Sequence, residues 1–471
     1  MKTIMINGIV LTMNQSMDWY PDGYVMFEEN KILQAGPMEE IEPLLESVCN
    51  DKWEKLETKK EHAEGEYRIV DAARGIIMPG MVNTHCHLGM IPFRGLGDDC
   101  KDRLRVFLLP MEQQAMDAEM AALSSRYAVC ELLLAGVTTV FDMYYFEGEI
   151  ARVMDEMGIR GIAGETVMEQ GACDVRSVEE AIAYGEAMMK KYQHHPRVSC
   201  CLAPHGTTTC SPKTLQKVYE LDRKYQVPFT LHTAEMDYEM RELEERFGCT
   251  PVEFLDQIGV LGPSTLAAHC IHLSESDIRL LKKRGSSVSH CIASNTKAAK
   301  GVAPVLSMLE HQVPVGLGTD GPASGNTLDL FTQMRFCANF HKNENRDRSA
   351  LPAKEIVAMA TIGGARALGL DGITGSLEPG KEADLVLVET DSANMFPVYD
   401  PYSALVYSAN SSNVKMVYVA GRRLVDEKKL AGADIREIRR QLAEKMKDSA
   451  FGTMEELTDP SGRTLFSSLL T

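Results

Sequence analysis

Two histidines stand two residues apart at the end of an apolar run, His85 and His87, in the stretch Pro79-Gly80-Met81-Val82-Asn83-Thr84-His85-Cys86-His87. Alternate side chains of a strand share a face, so these two imidazoles point together, and each offers a ring nitrogen to a tetrahedral metal at about 2.0–2.1 Å. An H-x-H pair by itself is common. Here a second apolar run ends at His232 with Glu235 three residues later, a third ends at His269, and a fourth ends in Gly318-Thr319-Asp320. His232 is the candidate third ligand. Glu235 lies beyond its strand end, where it can carry a proton to or from a substrate without binding the metal. A surface glutamate on a loop is the plainer reading of Glu235, but four strands delivering His, Glu and Asp to one rim is hard to assign to packing.

Such convergence needs strands that end at a common mouth. From residue 75 onward, short apolar runs closed by polar residues alternate with longer helix-patterned stretches, the signature of repeated βα units. Eight runs are present, at 76–87, 137–142, 160–166, 198–205, 228–232, 265–269, 287–291 and 314–320. Eight units in a row predict an α/β fold, a (β/α)8 TIM-like barrel over 75–375 with its active site at the carboxyl ends of the strands. The flanks differ in texture. Residues 1–30 alternate in polarity around turn signals at Asn7-Gly8 and Asp22-Gly23, and a similar texture returns at 383–388, 414–419 and 423–424 around Ala420-Gly421. Residues 1–74 and 376–432 are therefore expected to form one small β-sandwich domain from both chain ends. A C-terminal helical segment, 433–471, follows, with helical periodicity over 434–449. The charged stretch 39–66 reads as a solvated helix or insertion.

Composition narrows the class of function. The 471 residues are 44% apolar and 25% charged, as in a soluble globular protein, and the formal charge of −18 opposes binding to nucleic acid or an anionic membrane. No apolar run reaches the 18 or so residues of a membrane-spanning helix. The twelve cysteines are scattered, include the neighbours Cys200 and Cys201, and show no C-x-x-C pair, which fits reduced thiols in a cytoplasmic enzyme. Residues 316–321 fit G-x-G-x-x-G, yet they close the eighth unit instead of opening the first, and position 340 is Phe where an acidic residue should stand, so a dinucleotide site is not expected.

The chain resembles the amidohydrolase superfamily, in particular its branch of methylthioadenosine/S-adenosylhomocysteine deaminases and related triazine and purine hydrolases. The resemblance rests on "IIMPGMVNTHCHLGM" at 76–90, "FRGLGDD" at 93–99, "LPME" at 109–112, "LHTAE" at 231–235, "SNTKAAKGVAPV" at 294–305, "GLGTDGPASGNTLDLF" at 316–331 and "GSLEPGKEADLVLV" at 375–388. It implies a metal held by His85, His87, His232 and Asp320, with Glu235, His269 and Asp320 as the catalytic groups. Two-metal members carry a carboxylated lysine at the end of strand four. Here that strand reads Val198-Ser199-Cys200-Cys201-Leu202-Ala203-Pro204-His205, so one ion is expected: Zn²⁺, with Fe²⁺ or Mn²⁺ as alternatives.

The implied reaction is hydrolytic deamination of a heteroaromatic small molecule. Asp320 accepts the proton of the attacking water, Glu235 protonates the ring nitrogen, His269 orients the nucleophile, and ammonia leaves. Glu112 matches a ribose-binding glutamate and His205 a substrate-contacting histidine, pointing to adenosine, 5′-deoxyadenosine, methylthioadenosine or S-adenosylhomocysteine. The tryptophan that adenosine-type relatives carry between the 93–99 and 109–112 motifs is missing. The arginines that would grip a homocysteine carboxylate are not identifiable either, Arg176 being a guess better read as a solvated loop residue. Alternatives are guanine, 8-oxoguanine or pterin deamination, chloride removal from a triazine, or a barrel that has lost catalysis and serves as a scaffold. A homo-oligomer is expected.

Overall fold

The computed structural model describes residues 1–49, 61–451, 456–458 and 464–467. Eight parallel strands fall into two four-stranded sheets. One is ordered Val198–Pro204, Arg160–Val167, Val137–Tyr144, Met81–Cys86, and the other Phe229–Thr233, Thr265–His269, Ser287–His290, Val315–Leu317. All eight residues of Val137–Tyr144 and of Arg160–Val167 are buried, as expected of parallel strands covered on both faces. Val82, Phe141, Ile162, Cys201 and Leu266, from five of the strands, pack with Ala365, Ala367 and Leu368.

The two sheets meet at two seams, and each seam carries a single bridge at its carboxyl end, Cys86 with Asp320 and Gly206 with His232. The backbone N–H of Asp320 donates to the His85 carbonyl at 3.0 Å, and that of His232 to the His205 carbonyl at 3.2 Å. The two halves of the (β/α)8 arrangement are thus joined by one bridge per seam at the mouth, where the candidate site residues stand, and among the described residues no continuous ladder closes them into a barrel.

Local chemistry starts and stops the outer helices. Ser177, Ser211, Thr250 and Ser274 accept the N–H three residues on at the starts of Val178–Tyr192, Pro212–Tyr225, Pro251–Gln257 and Glu275–Arg284. Glu253 and Asp277 complete capping boxes at the last two. Left-handed Gly158, Gly248 and Gly285 stop Glu147–Met157, Asp237–Phe247 and Glu275–Arg284.

Both chain ends build one ten-stranded sheet. Its path runs Lys429–Leu430, Arg422–Asp426, Val414–Val419, Leu385–Val388, Ile76–Pro79, Lys2–Leu11, Trp19–Glu28, Lys31–Pro37. It forks at Lys2–Leu11, which pairs with Tyr67–Asp71 along its first half and with Ile76–Pro79 farther on. The run 76–87, read from sequence as one barrel strand, is therefore two. Ile76–Pro79 belongs to this sheet and only Met81–Cys86 enters the barrel, with the chain passing over at Gly80, whose N–H donates to the Asp384 carbonyl at 2.9 Å. The residues on either side of Gly80, Ile76–Pro79 before it and Met81 and Val82 after it, are all apolar and buried, so hydropathy does not mark the crossing.

Within the charged stretch 39–66, Met38–Cys49 is a helix and Glu61–Glu64 a strand, while 50–60 lie outside the described residues. In the C-terminal segment, helix Ile435–Lys447 lies against Ala118–Leu134, with Lys445 paired to Asp117 at 2.6 Å and Glu119 at 3.0 Å. Two short paired strands, Glu456–Thr458 and Thr464–Ser467, come next, and the rest of 452–471 lies outside the described residues.

A buried ion pair ties the barrel to the terminal sheet. Arg160, at the start of the third barrel strand, bonds Asp384 at 2.8 Å through Nε and Glu382 at 3.3 Å through Nη2, and Asp384 also accepts the Ala420 N–H at 2.6 Å. Removing one partner of a buried pair strands the other charge away from water, which costs about 3–5 kcal/mol. Asp384→Ala is expected to lower the stability measured by urea unfolding by that amount, and a change under about 1 kcal/mol would show that the clamp is not needed.

Candidate metal and active site

Five of the sequence-derived residues meet at the barrel mouth. Ligand atoms of His85, His232, His269 and Asp320 lie within 4.8 Å of one another. His87 joins through Asp320, its Nε2 being 2.9 Å from Oδ1, while His85 Nε2 is 3.8 Å from the same oxygen. Ring centroids of His85 stand 4.8 Å from His87 and 5.0 Å from His232.

Second partners aim these rings. Nδ1–H of His232 donates to the His205 carbonyl at 2.6 Å, that of His269 to Asn295 Oδ1 at 2.8 Å, and that of His87 to the Met143 carbonyl. Each such bond fixes the tautomer that presents a bare Nε2. The Nε2 atoms of His85 and His269 are buried without a hydrogen-bond partner. Ser294 Oγ donates to Asp320 Oδ2 at 2.6 Å.

Strand ends are bent to achieve this. His269, Asp320 and Ala234 adopt φ of 71°, 57° and 49°. Left-handed backbone costs a non-glycine residue about 1–3 kcal/mol and collects at functional sites. The G-x-G-x-x-G run is explained here as well: a Cβ on Gly318 would meet Ser289 Oγ at 2.6 Å and His85 Cβ at 3.1 Å, and one on Gly321 would meet Met90 Sδ at 2.5 Å and His87 Cβ at 3.2 Å. These glycines clear room for the histidine strand and do not cradle a phosphate.

A divalent cation fits the cluster. Burial, reinforced by neighbouring imidazoles, drives His85 far down and His232 to about 3, so both stay neutral with lone pairs free. Burial also opposes charge on His87, but Asp320 outweighs it and lifts His87 to about 9. That proton occupies the place a cation would take, and metal binding releases it.

Above the cluster lies a cavity of about 430 Å³ that receives His87, His205, His232, Glu235, His269 and Asp320. Glu112, from the short helix Leu109–Ala115, is buried in its wall, accepts the Tyr144 hydroxyl at 2.7 Å and is pushed up to about 7 by burial. His205 bonds Thr209 through Nδ1 at 3.1 Å. Aromatic surface in the cavity comes from Tyr144, Tyr145 and Tyr238, which line it. Arg176 is exposed, with its backbone N–H on Glu180, and does not line the cavity.

Glu235 is gripped closely. Its backbone N–H donates to Glu239 Oε2 at 2.9 Å, and its Oε1 pairs with Lys300 and stands 3.6 Å from His269 Nε2. Burial would raise this carboxyl, but His269 and Lys300 hold it well below the usual carboxylate range. Sequence reasoning gave Lys300, Ser294, Asn295 and the tyrosines no role. The motif at 294–305 was visible, but nothing in it tells which side chain turns inward.

Behind His87 lies a set of buried acids. Asp142 accepts the Leu88 N–H at 2.6 Å and Glu165 the Glu147 N–H at 3.1 Å. Burial first, and carboxylate neighbours second, push Glu147 and Glu165 well above their ordinary values, so each keeps a proton at neutral pH. Glu165 binds that proton more tightly folded than unfolded, where its value is about 4.3. Its contribution to stability is complete below that value and is lost as pH rises toward the folded value. Glu165→Gln keeps a neutral donor at every pH, so its melting temperature relative to wild type is expected to rise between pH 5.5 and pH 9. An unchanged difference would mean that Glu165 is already ionised in the native state.

Comparison with known proteins agrees with this geometry. The chain is 34% identical over 437 residues to 5-methylthioadenosine/S-adenosylhomocysteine deaminase of Syntrophobacter fumaroxidans, covering 92% of this chain and 95% of that one. It is 36% identical over 440 residues to 5′-deoxyadenosine deaminase of Methanosarcina barkeri, covering 92% and 94%. A zinc-bound adenosine deaminase from Xanthomonas campestris superposes with a TM-score of 0.87 at 27% identity over 96% of this chain and 99% of that one. With residues 76–424 also matching the amidohydrolase family, and the histidine and aspartate cluster standing at the strand ends inside that span, the chain belongs to the amidohydrolase family.

Proposed function

We propose that this protein is a cytoplasmic, zinc-dependent aminohydrolase that converts a small 5′-substituted adenosine, such as 5′-deoxyadenosine or methylthioadenosine, to its inosine counterpart and ammonia. The observation that carries the substrate choice is Glu112, a carboxyl buried in the wall of the cavity that holds the metal cluster and suited to two sugar hydroxyls. The names of the relatives at 34% and 36% identity support it. Of the four Lys and Arg residues that line the cavity, three are engaged, Arg103 with the Leu96 and Ala323 carbonyls, Lys297 with Asp98, and Lys300 with Glu235, and only the exposed Lys101 has no ion-pair partner among the described residues. This favours an uncharged 5′ group over a homocysteine carboxylate.

His85, His87, His232 and Asp320 hold one ion in this reading, and His269, which stands beside Glu235, stays free for the nucleophile and substrate. When bound, zinc acidifies water and so supplies a hydroxide nucleophile at neutral pH. Glu235 rests as a carboxylate, takes up one of the two protons of the attacking water and delivers it to the ring nitrogen next to the amino-bearing carbon. His269 steadies the oxygen that attacks. Asp320 accepts a proton and returns it to the departing amine, and Tyr144 and Tyr145 offer the ring and sugar apolar faces.

Metal analysis is expected to find about one zinc per chain. His87→Ala should lose both metal and turnover, whereas His269→Ala keeps the metal and loses turnover by about 100-fold or more. Two ions per chain, or metal loss in His269→Ala with retention in His87→Ala, would overturn this ligand set.

The substrate is tested by ammonia release across adenosines, guanines, pterins and aminotriazines. The 5′-substituted adenosines should rank first, and Glu112→Ala should cost about 100-fold in kcat/KM on the nucleoside while leaving the free base nearly unaffected, because its contribution comes through the sugar. Activity confined to free bases or triazines, with Glu112→Ala harmless, would sink the nucleoside reading and leave the metallohydrolase standing.

A further inference from the structure

Lys300 enters the cavity from the loop after helix Ile292–Lys297, and the metal cluster does not account for it. The backbone is bent to bring it in: Ala299, a non-glycine residue, adopts φ 53°, and Gly301 follows at φ 124°. The Lys300 N–H donates to the Asn295 carbonyl at 2.9 Å, and the Asn295 side chain accepts the Nδ1–H of His269 at 2.8 Å. The residue that anchors this turn therefore anchors a site histidine too. The Lys300 side chain is 17% exposed and its ammonium pairs with Glu235 Oε1. Taking an ammonium out of water is unfavourable unless it is paired, so the lysine and the carboxylate hold each other in place.

We propose that Lys300 is a positioning residue for the deamination: it fixes the Glu235 side chain by holding Oε1, which leaves Oε2 to exchange the proton with the substrate ring. The inference rests on the aminohydrolase reading above. Glu235 is already tied at its backbone by Glu239, and Lys300 supplies the restraint at the far end of the same side chain. Without it the side-chain torsions are free to sample other staggered wells. A reacting group displaced by about 1 Å loses up to about 100-fold in rate. Because the lysine acts through Glu235 and not on the substrate, the loss falls on kcat and leaves KM nearly alone.

The test uses the zinc-loaded enzyme. Lys300→Met is expected to lower kcat by about 10- to 100-fold with KM within about threefold, and Lys300→Arg to restore most of the rate. In a Glu235→Gln background, adding Lys300→Met should change kcat less than about twofold, since the carboxylate it positions is gone. Crystal structures of wild type and Lys300→Met, which need no substrate, should show the Glu235 carboxylate shifted or spread over rotamers in the variant. Wild-type kcat with Glu235 unmoved, or two substitutions whose effects multiply independently, would overturn the proposal. So would a rise in KM alone, confined to substrates with a 5′ carboxylate, which would make Lys300 a substrate contact. If the wild-type enzyme releases ammonia from no nucleoside, the substrate reading falls, and the crystallographic comparison still decides the role of Lys300.

Discussion

Gathering four imidazoles and a carboxylate at one largely buried mouth governs much of what surrounds them. A cation there needs Nε2 atoms turned inward, and three of the rings give their Nδ1–H to the Met143 and His205 carbonyls and to Asn295. Two of the inward nitrogens have no protein partner. A buried polar atom left so costs about 1–3 kcal/mol, which at His85 a bound cation would remove. The left-handed turns at His269 and Asp320, and the space cleared at Gly318 and Gly321, are the backbone's share of the same arrangement.

The contacts that join the two halves of the fold lie at the site. The two four-stranded sheets are bridged at Cys86 with Asp320 and at Gly206 with His232, so residues that carry candidate ligands, or adjoin them, also join the halves. Ligand spacing is therefore set by how the halves meet. Elsewhere the barrel is tied to the terminal sheet by Arg160, Asp384 and Glu382, far along the chain from the metal residues and independent of them in chemistry.

Three charged pairs stand around the cavity. Lys300 answers Glu235, His87 answers Asp320, and Lys297 answers Asp98. Glu112 has no cation among its hydrogen-bond partners, accepts the Tyr144 hydroxyl and sits near neutrality. A substrate entering this space meets aromatic walls and few uncommitted charges, which suits a flat, uncharged ring carrying a sugar.

The sequence by itself made legible the succession of βα units and drew attention to the histidines, Glu235 and Asp320 at their strand ends, and it expected both chain ends to form a small β-sandwich where the structure has one ten-stranded sheet. The units and their strand-end residues follow from period-2 and period-3.6 patterning and from the rule that strand ends of a barrel converge. It also excluded Arg176 as a strong candidate, and the structure leaves that residue in solvent. What it could not give were features that depend on chain crossings and side-chain directions. The run 76–87 hides a passage from one sheet to another, because both strands are buried and the residues flanking Gly80 are apolar on either side. Tyr144 and Tyr145 line the cavity beside Glu112, a neighbourhood in space that no linear motif records. Lys300 reads as one more lysine in a polar loop. Only the tertiary structure, by bending Ala299 and Gly301 and burying Glu235 opposite, turns that lysine into part of the site, because pairing two charges out of water is a property of their surroundings and not of their order in the chain.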